Sequence, residues 1–180
     1  MRRTASILWV SVAVLLILTA PGQATQVIYQ SPKQLADESS QIVRGKVIGV
    51  RSYWNAEKTL IFTEVRVKVD EAYKGTPLAE ARIVQLGGVV DHMRVNVEGA
   101  LSWRPAEEVL LFLEANPAGD YQVAGFSQGK FAIERDARTG RAFVKSPGLE
   151  GLTLVGAPPG GAAPVKTPLD QFISKTVGLK

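Results

Sequence analysis

Residues 42–75 read IVRGKVIGVRSYWNAEKTLIFTEVRVKVDEAYKG, and this stretch decides the fold. In its second half, residues 63–70 alternate apolar or small side chains with charged ones, which is typical of a strand with one buried and one wet face. In its first half the alternation is clear up to Val47 and blurred beyond it. A short polar loop joins the two halves. The stretch therefore predicts two long antiparallel strands, residues 42–53 and 60–73.

Two glycines, Gly45 and Gly49, stand four residues apart in the first of these strands. Their spacing predicts that they share one face of the strand. Glycine weakens a strand unless the sheet has to bend sharply or another backbone has to approach closely. We therefore expect a strongly curved strand, and a barrel is the arrangement in which such strands leave no exposed edges.

The rest of the chain adds shorter elements to this pair. Residues 31–34, SPKQ, predict a short helix with a capping box, in which Leu35 and Ala36 face the core. Residues 89–104 are expected to form a long, partly ordered loop, with a short strand near residues 93–97 as the alternative. Further strands are predicted at residues 81–86, 107–114, 121–127, 130–135 and 141–145. The apolar run VLLFL predicts that the second of these is a central strand.

The first residues have the layout of a secretory signal peptide. Two arginines follow the initiator methionine, residues 7–18 form an apolar run, and the small residues Gly22 and Ala24 place a cleavage site after Ala24. The apolar run is shorter than the roughly 20 residues that a membrane-spanning helix needs. We therefore expect residues 1–24 to be removed from an exported protein, periplasmic or extracellular, that has no stable membrane span. Retention of the segment as an anchor is the alternative.

The composition excludes several classes of site. The chain has no cysteine, which excludes a thiol nucleophile, a zinc–thiolate site and an iron–sulfur cluster. Loss of Arg2 and Arg3 with the signal peptide takes the formal net charge from +4 to +2, a balance typical of a solvated surface and not of nucleic-acid binding. With 46% apolar and 21% charged residues, the exported chain is expected to fold as one domain.

A change in composition marks the C-terminal part of the chain. Residues 156–167 are rich in glycine and proline and cannot build a core, so they are expected to form a linker. Thr167 and Asp170 predict a capped helix whose apolar face carries Leu169, Phe172 and Ile173. Because so short a helix is not stable alone in water, we expect it to dock on the barrel or on a partner. The predicted segments are a signal peptide at 1–24, a barrel domain at 25–155, a linker at 156–167 and a C-terminal helix at 168–180.

Three runs, IVRGKVIGV, FTEVRVKVDEAYKG and EEVLLFLE, together resemble the start of the netrin-like module. That module is the OB-fold barrel of the tissue inhibitors of metalloproteinases and of complement C-terminal domains. The chain also resembles a set of uncharacterised exported bacterial proteins with the same order of elements. The resemblance covers residues 42–114 and implies a mainly β fold, a small antiparallel OB-like β-barrel with a short N-terminal helix and a C-terminal helix. The inhibitors act through an N-terminal cysteine, whereas the expected mature chain starts at Thr25. No inhibitory residue is therefore carried over, and the fold alone does not settle the function.

The sequence shows no catalytic constellation. His92 is the one histidine and stands beside Asp91, but a general base or a metal site needs further converging groups. Glu107 and Glu108 would point to opposite faces of a strand, so they could not act as an acid–base couple. The sequence therefore predicts a non-enzymatic protein without catalytic, metal-binding or cofactor-binding residues and without a cofactor. A hydrolase is the least favoured alternative.

A binding surface is expected at the ends of the long hairpin and in the loop 87–104. Trp54 and Trp103 stand at loop boundaries, where their rings could stack on a ligand, although packing in the core is the usual place of such rings. The predicted function is an exported binding module whose partner is another exported protein or a cell-envelope component. The alternative is an inhibitor of an exported protease. The candidate residues are Trp54, Trp103, His92 and Arg94, with Tyr53 and Phe126 as further aromatic side chains.

Overall fold

The computed structural model describes residues 25–146, 152–159 and 166–178. The predicted signal peptide, residues 1–24, lies outside these ranges, and so do residues 160–165 of the predicted linker. The fold is mainly β, as expected. Its strands are β1 (Thr25–Ile28), β2 (Gln41–Trp54), β3 (Ile61–Lys74), β4 (Glu80–Leu86), β5 (Gly88–Val90), β6 (Met93–Val95), β7 (Glu108–Ala115), β8 (Tyr121–Val123), β9 (Lys130–Arg135), β10 (Ala142–Lys145), β11 (Leu152–Val155) and β12 (Lys166–Pro168), and its helices are α1 (Pro32–Glu38) and α2 (Leu169–Val177).

The long hairpin is confirmed as β2 and β3. A β-bulge explains its blurred alternation, because Val47 and Gly49 pair with consecutive residues of β3 and leave Ile48 between them without a partner. The extra residue reverses the side-chain alternation in the rest of β2. The prediction that the two glycines share a face is therefore wrong. Gly45 lies on the inner face with Val47, whereas Gly49 lies opposite the exposed Arg66 on the outer face.

Five strands close into a barrel in the order β7–β2–β3–β4–β8, with β8 returning to β7. Neighbouring strands are antiparallel except β4 and β8, which are parallel where Ile83 meets Tyr121. A ring with an odd number of strands cannot alternate direction all the way round, so it must contain a parallel contact. The expectation of a purely antiparallel barrel is therefore wrong. β1 and β11 form a further parallel pair, and β9, β10 and β12 extend the sheet outward from β7.

The buried side chains form two cores that share β7. Leu111 and Leu113 point into the barrel, where they belong to one core with valines of β2 and β3 and with Ile83 of β4. Leu110 and Phe112 point the other way, into a second core that α1 and α2 cover. β7 is thus buried on both faces, which confirms the prediction that it is a central strand.

The predicted cap is correct for one helix and wrong for the other. In α1 the capping box is confirmed, because Ser31 Oγ accepts from the Gln34 amide at 3.3 Å and Gln34 Oε1 accepts from the Ser31 amide at 2.9 Å. In α2 the predicted cap by Thr167 and Asp170 is wrong. Thr167 belongs to β12, which pairs with β10, and no described side chain caps the first turn.

The C-terminal helix docks on its own chain. The Phe172 ring centroid lies 5.0 Å from that of Phe131 and 6.4 Å from that of Phe112. Ile173 is buried in the same core. Of the two expected docking surfaces, the structure therefore uses the barrel.

Two connections determine the shape of the barrel end. The loop 89–104 contains β6 at Met93–Val95, paired with β5, which confirms a short strand near residues 93–97. The predicted strand over residues 121–127 ends at Val123 instead, and the following residues form turns. The reason is a pair of positive φ angles, 61° at Gly125 and 69° at Phe126, which cannot continue a strand.

Candidate binding cleft

A cleft of ≈ 530 Å³ opens where the barrel is least tightly closed. β4 and β8 pair only at Ile83 and Tyr121, next to an ion pair between Arg82 and Asp120. Beyond that point the two strands are no longer paired, and their ends form two sides of the cleft. Residues of the segment 97–101 form a third side.

The cleft combines apolar walls with a polar edge. Its apolar lining includes Phe62 of β3 and Leu86 of β4, and Leu86 is 39% exposed. Its polar edge lies at the turn between β7 and β8, where Glu114, Asn116 and Gln122 line it. Mostly apolar clefts with a few placed polar groups are the usual form of ligand sites.

Phe126 stands at the rim of the cleft and is 50% exposed. Its φ of 69° is in the left-handed region, which is a genuine outlier for a bulky side chain. Three backbone hydrogen bonds hold the turn. The Gly129 amide donates to the Ala124 carbonyl at 3.0 Å, and the Ser127 and Gln128 amides donate to the Gly125 carbonyl at 2.9 and 3.2 Å. Gly125 has a φ of 61°, which favours glycine, and a Cβ there would come within 2.6 Å of Leu35 Cδ2, which is buried in the second core. The turn therefore holds an exposed aromatic ring in a conformation that costs about 1–2 kcal/mol.

Trp103 lies behind the cleft and is engaged within the chain. Its indole Nε1–H donates to Gln85 Oε1 at 2.9 Å, and Gln85 Nε2 donates to the Leu101 carbonyl at 2.9 Å. Gln85 and Leu101 both line the cleft. The indole is half-buried against the barrel core. Trp103 thus positions the wall at residues 97–101 through its neighbours.

Lys130 holds the residues that follow this wall of the cleft. This lysine is 8% exposed, and its ammonium donates to the Glu107 carboxylate at 2.9 and 3.0 Å and to the Ser102 carbonyl at 2.7 Å. The ammonium also lies 4.5 Å from the centroid of the Trp103 ring, within the range of a cation–π interaction. The ion pair and the indole together tie residues 101–107 to β9.

None of the four predicted residues, Trp54, Trp103, His92 and Arg94, is part of the cleft lining. His92 and Arg94 are exposed on the β5–β6 hairpin, whose turn includes Asp91 at a φ of 53°. The hairpin rests on the end of β2 and β3, where the Val89 amide donates to Ser52 Oγ at 3.3 Å. Trp54 is half-buried at that end of β2. The predicted binding surface is therefore divided, with Trp103 behind the cleft and the other three residues at or near the hairpin.

A network of polar side chains on the outside of the barrel shifts the pKa values of Glu108 and Tyr73. Arg44 Nη1 donates to Glu108 at 3.1 Å, and Arg135 donates to both oxygens of Glu108 at 2.5 and 2.8 Å. Burial raises the pKa of Glu108, but the hydrogen bonds from Arg135 and Arg44 outweigh burial and hold this pKa below its usual value. Burial and the hydrogen bond to Glu71 raise the pKa of Tyr73 to about 12. None of these groups lines the cleft, and they connect β2, β3, β7 and β9.

Several residues of the cleft were not among the predicted site residues. Leu86, Phe62 and Glu114 belong to strands whose sequence gives no sign of an opening. Phe126 was an aromatic candidate, and its position after a glycine in VAGFSQG is the signal that could have marked it as a turn residue. The cleft itself depends on which strand edges meet, which no local pattern records.

In the ranges that the structure describes, no three His, Asp or Glu side chains come together as a metal site would require. None of the helices in those ranges has the length and apolar run needed to cross a bilayer. A comparison with protein-family models finds no match, and a comparison with curated proteins finds none either.

Proposed function

We propose that this chain is an exported, non-enzymatic binding module whose ligand lies in the cleft between β4 and β8. The observation that carries the proposal is the half-exposed ring of Phe126, held in a left-handed conformation at the rim of a mostly apolar cleft. Strain of this kind is concentrated at ligand-binding and catalytic sites, where the surrounding structure maintains it. The partner is another exported protein or a cell-envelope component, and the signal-peptide pattern supports the export.

The OB-like, netrin-like character of the barrel is part of the same proposal. The barrel has five strands, and its one parallel contact, between β4 and β8, is a single residue pair. This arrangement is consistent with an OB-fold, a five-stranded, partly open barrel. OB-folds bind ligands on the face of their second and third strands and on adjoining loops. The corresponding strands are β3 and β4, which contribute Phe62 and Leu86 to the cleft.

Site-specific photocrosslinking tests the proposal. The photoreactive amino acid p-benzoylphenylalanine replaces Phe126 in one strain of the native host, and Arg138 of the exposed β9–β10 turn in a matched control strain. We expect an ultraviolet-dependent adduct of defined mass at position 126 and none at position 138, because only the former lines the cleft. Equal adducts at both positions, or none at either, would refute a ligand site in the cleft.

A third strain with the photoreactive residue at His92 tests the surface predicted from the sequence. An adduct there, without one at position 126, would move the binding site to the β5–β6 hairpin. Inhibition of an exported protease stays a prediction from the resemblance. An adduct that contains a protease would favour it.

A further inference from the structure

The end of β4 presents free backbone groups to the cleft. The Gly87 amide donates to the Ile61 carbonyl at 2.8 Å, so these residues form a hydrogen-bonded pair of the antiparallel ladder. The alternation of such ladders turns the N–H and C=O of Leu86 away from β3. Because the pairing between β4 and β8 stops at Ile83, the register gives the backbone of Leu86 no partner within the described ranges.

The facing strand also turns backbone groups toward this opening. The Ala124 amide donates to the Phe112 carbonyl at 2.8 Å, so the alternation turns the N–H and C=O of Val123 away from β7. Val123 lines the cleft as Leu86 does. Both strand edges thus turn backbone donors and acceptors toward one opening. Edges of this kind bind extended chains by adding a strand to the sheet.

The side chains of the cleft define what such a chain would carry. Phe62, Leu86 and Phe126 provide apolar and aromatic surface. Glu114 is the one ionisable side chain among the lining residues. Its carboxylate accepts from Gln122 Nε2 at 3.0 Å, and it takes part in no ion pair among the described residues. A negative charge without a counter-ion beside an apolar cleft is complementary to a cationic side chain.

We propose that the ligand of the cleft is an extended peptide segment that adds as a strand beside the end of β4 and directs a lysine or arginine toward Glu114. This inference rests on the proposed function of the cleft. A peptide backbone supplies donors and acceptors at the spacing of Leu86, which an apolar small molecule would leave unpaired. Its side chains alternate, so an apolar residue reaches Phe126 and Leu86 on one side of the added strand.

Peptide selection provides the test. A phage-displayed library of random linear peptides is selected on the purified exported protein, and Kd values of synthetic hits are measured by fluorescence polarisation. We expect hits that combine apolar residues with lysine or arginine. N-methylation of alternate peptide amides leaves the protein unchanged and removes the donors of an added strand, so we expect one of the two methylation registers to weaken binding by at least about tenfold.

Protein variants separate the backbone contribution from the charge. Glu114→Gln should weaken the cationic hits by about tenfold, whereas Glu57→Gln in the exposed β2–β3 turn should leave their Kd unchanged. Leu86→Ala keeps the backbone N–H and should weaken binding less than peptide N-methylation does. Hits that tolerate N-methylation in both registers, or a selection without hits, would overturn the peptide inference.

The two proposals fail in different ways. An adduct at position 126 that contains no polypeptide, such as an oligosaccharide, would overturn the peptide inference and leave a binding module. The absence of any adduct there would overturn both. Selected peptides that protect position 126 from crosslinking would support both.

Discussion

Replacement of Lys130 by methionine tests how the wall of the cleft is held. Methionine is unbranched like lysine, one heavy atom shorter, and has no donor. The Ser102 carbonyl therefore loses its partner, and Glu107 loses both hydrogen bonds from Lys130 and keeps the one from the Arg104 amide at 3.2 Å. Breaking one side of a buried ion pair costs about 3–5 kcal/mol. The Glu107 side chain is 21% exposed and recovers some hydration, so we expect Lys130→Met to lower the free energy of unfolding by about 2–3 kcal/mol. Loss of the cation above Trp103 is included in that range.

A double-mutant cycle with Glu107→Gln measures the pair itself. Urea unfolding of the wild type, both single variants and the double variant should give a coupling of about 1–2 kcal/mol. Amide hydrogen exchange in residues 97–101 should accelerate in Lys130→Met, because Ser102 is no longer held. A cost below about 0.5 kcal/mol, or additive single effects, would show that the ion pair does not anchor this segment.

Three further changes test other parts of the structure. Gly45→Ala should lower the free energy of unfolding in urea by about 1–3 kcal/mol, because a Cβ would approach Val67 Cγ1 to 2.9 Å and strike the backbone of β3. Gly49→Ala should be nearly neutral, since the nearest atom to a Cβ there is 3.7 Å away. Similar losses in the two variants would contradict the bulge. Phe172→Ala should lower the free energy of unfolding by about 2 kcal/mol, since the ring is only partly buried, and an unchanged value would mean that α2 does not dock on its own chain. The pKa of Glu108 is lower in the folded than in the unfolded state, so the stabilisation by this carboxylate is complete above the unfolded pKa of about 4.3 and is lost as pH falls through the folded pKa. Glu108→Gln should therefore flatten the acid side of the stability–pH curve. An unchanged curve would contradict the lowered pKa.

Local patterns identified most of the strands and both helices. The alternation in residues 63–70 and the capping box at residues 31–34 correspond closely to β3 and α1. The continuous apolar run of β7 indicated burial on both faces, and the structure divides it between two cores. These features are readable because side-chain periodicity and capping depend on neighbours within a few residues.

The errors have a common cause. The cap expected at Thr167 was lost because β10 takes that residue into a strand pair. Gly49 changed face because the bulge lies in the pairing between β2 and β3. Each outcome depends on a partner far away in the chain, which the local sequence does not encode in a readable form.

By itself, the sequence determined that this is a mainly β chain built on one long hairpin, because alternation with a period of two commits each strand to one buried face. It also placed helices near the start and the end of the described chain. Only the tertiary structure decided that five strands close with a parallel contact at Ile83 and Tyr121 and leave a cleft beyond it. The physical reason is that the number of strands, the bulges and the positions of distant edges decide in which direction the last two strands pair and over how many residues. These are properties of the whole barrel.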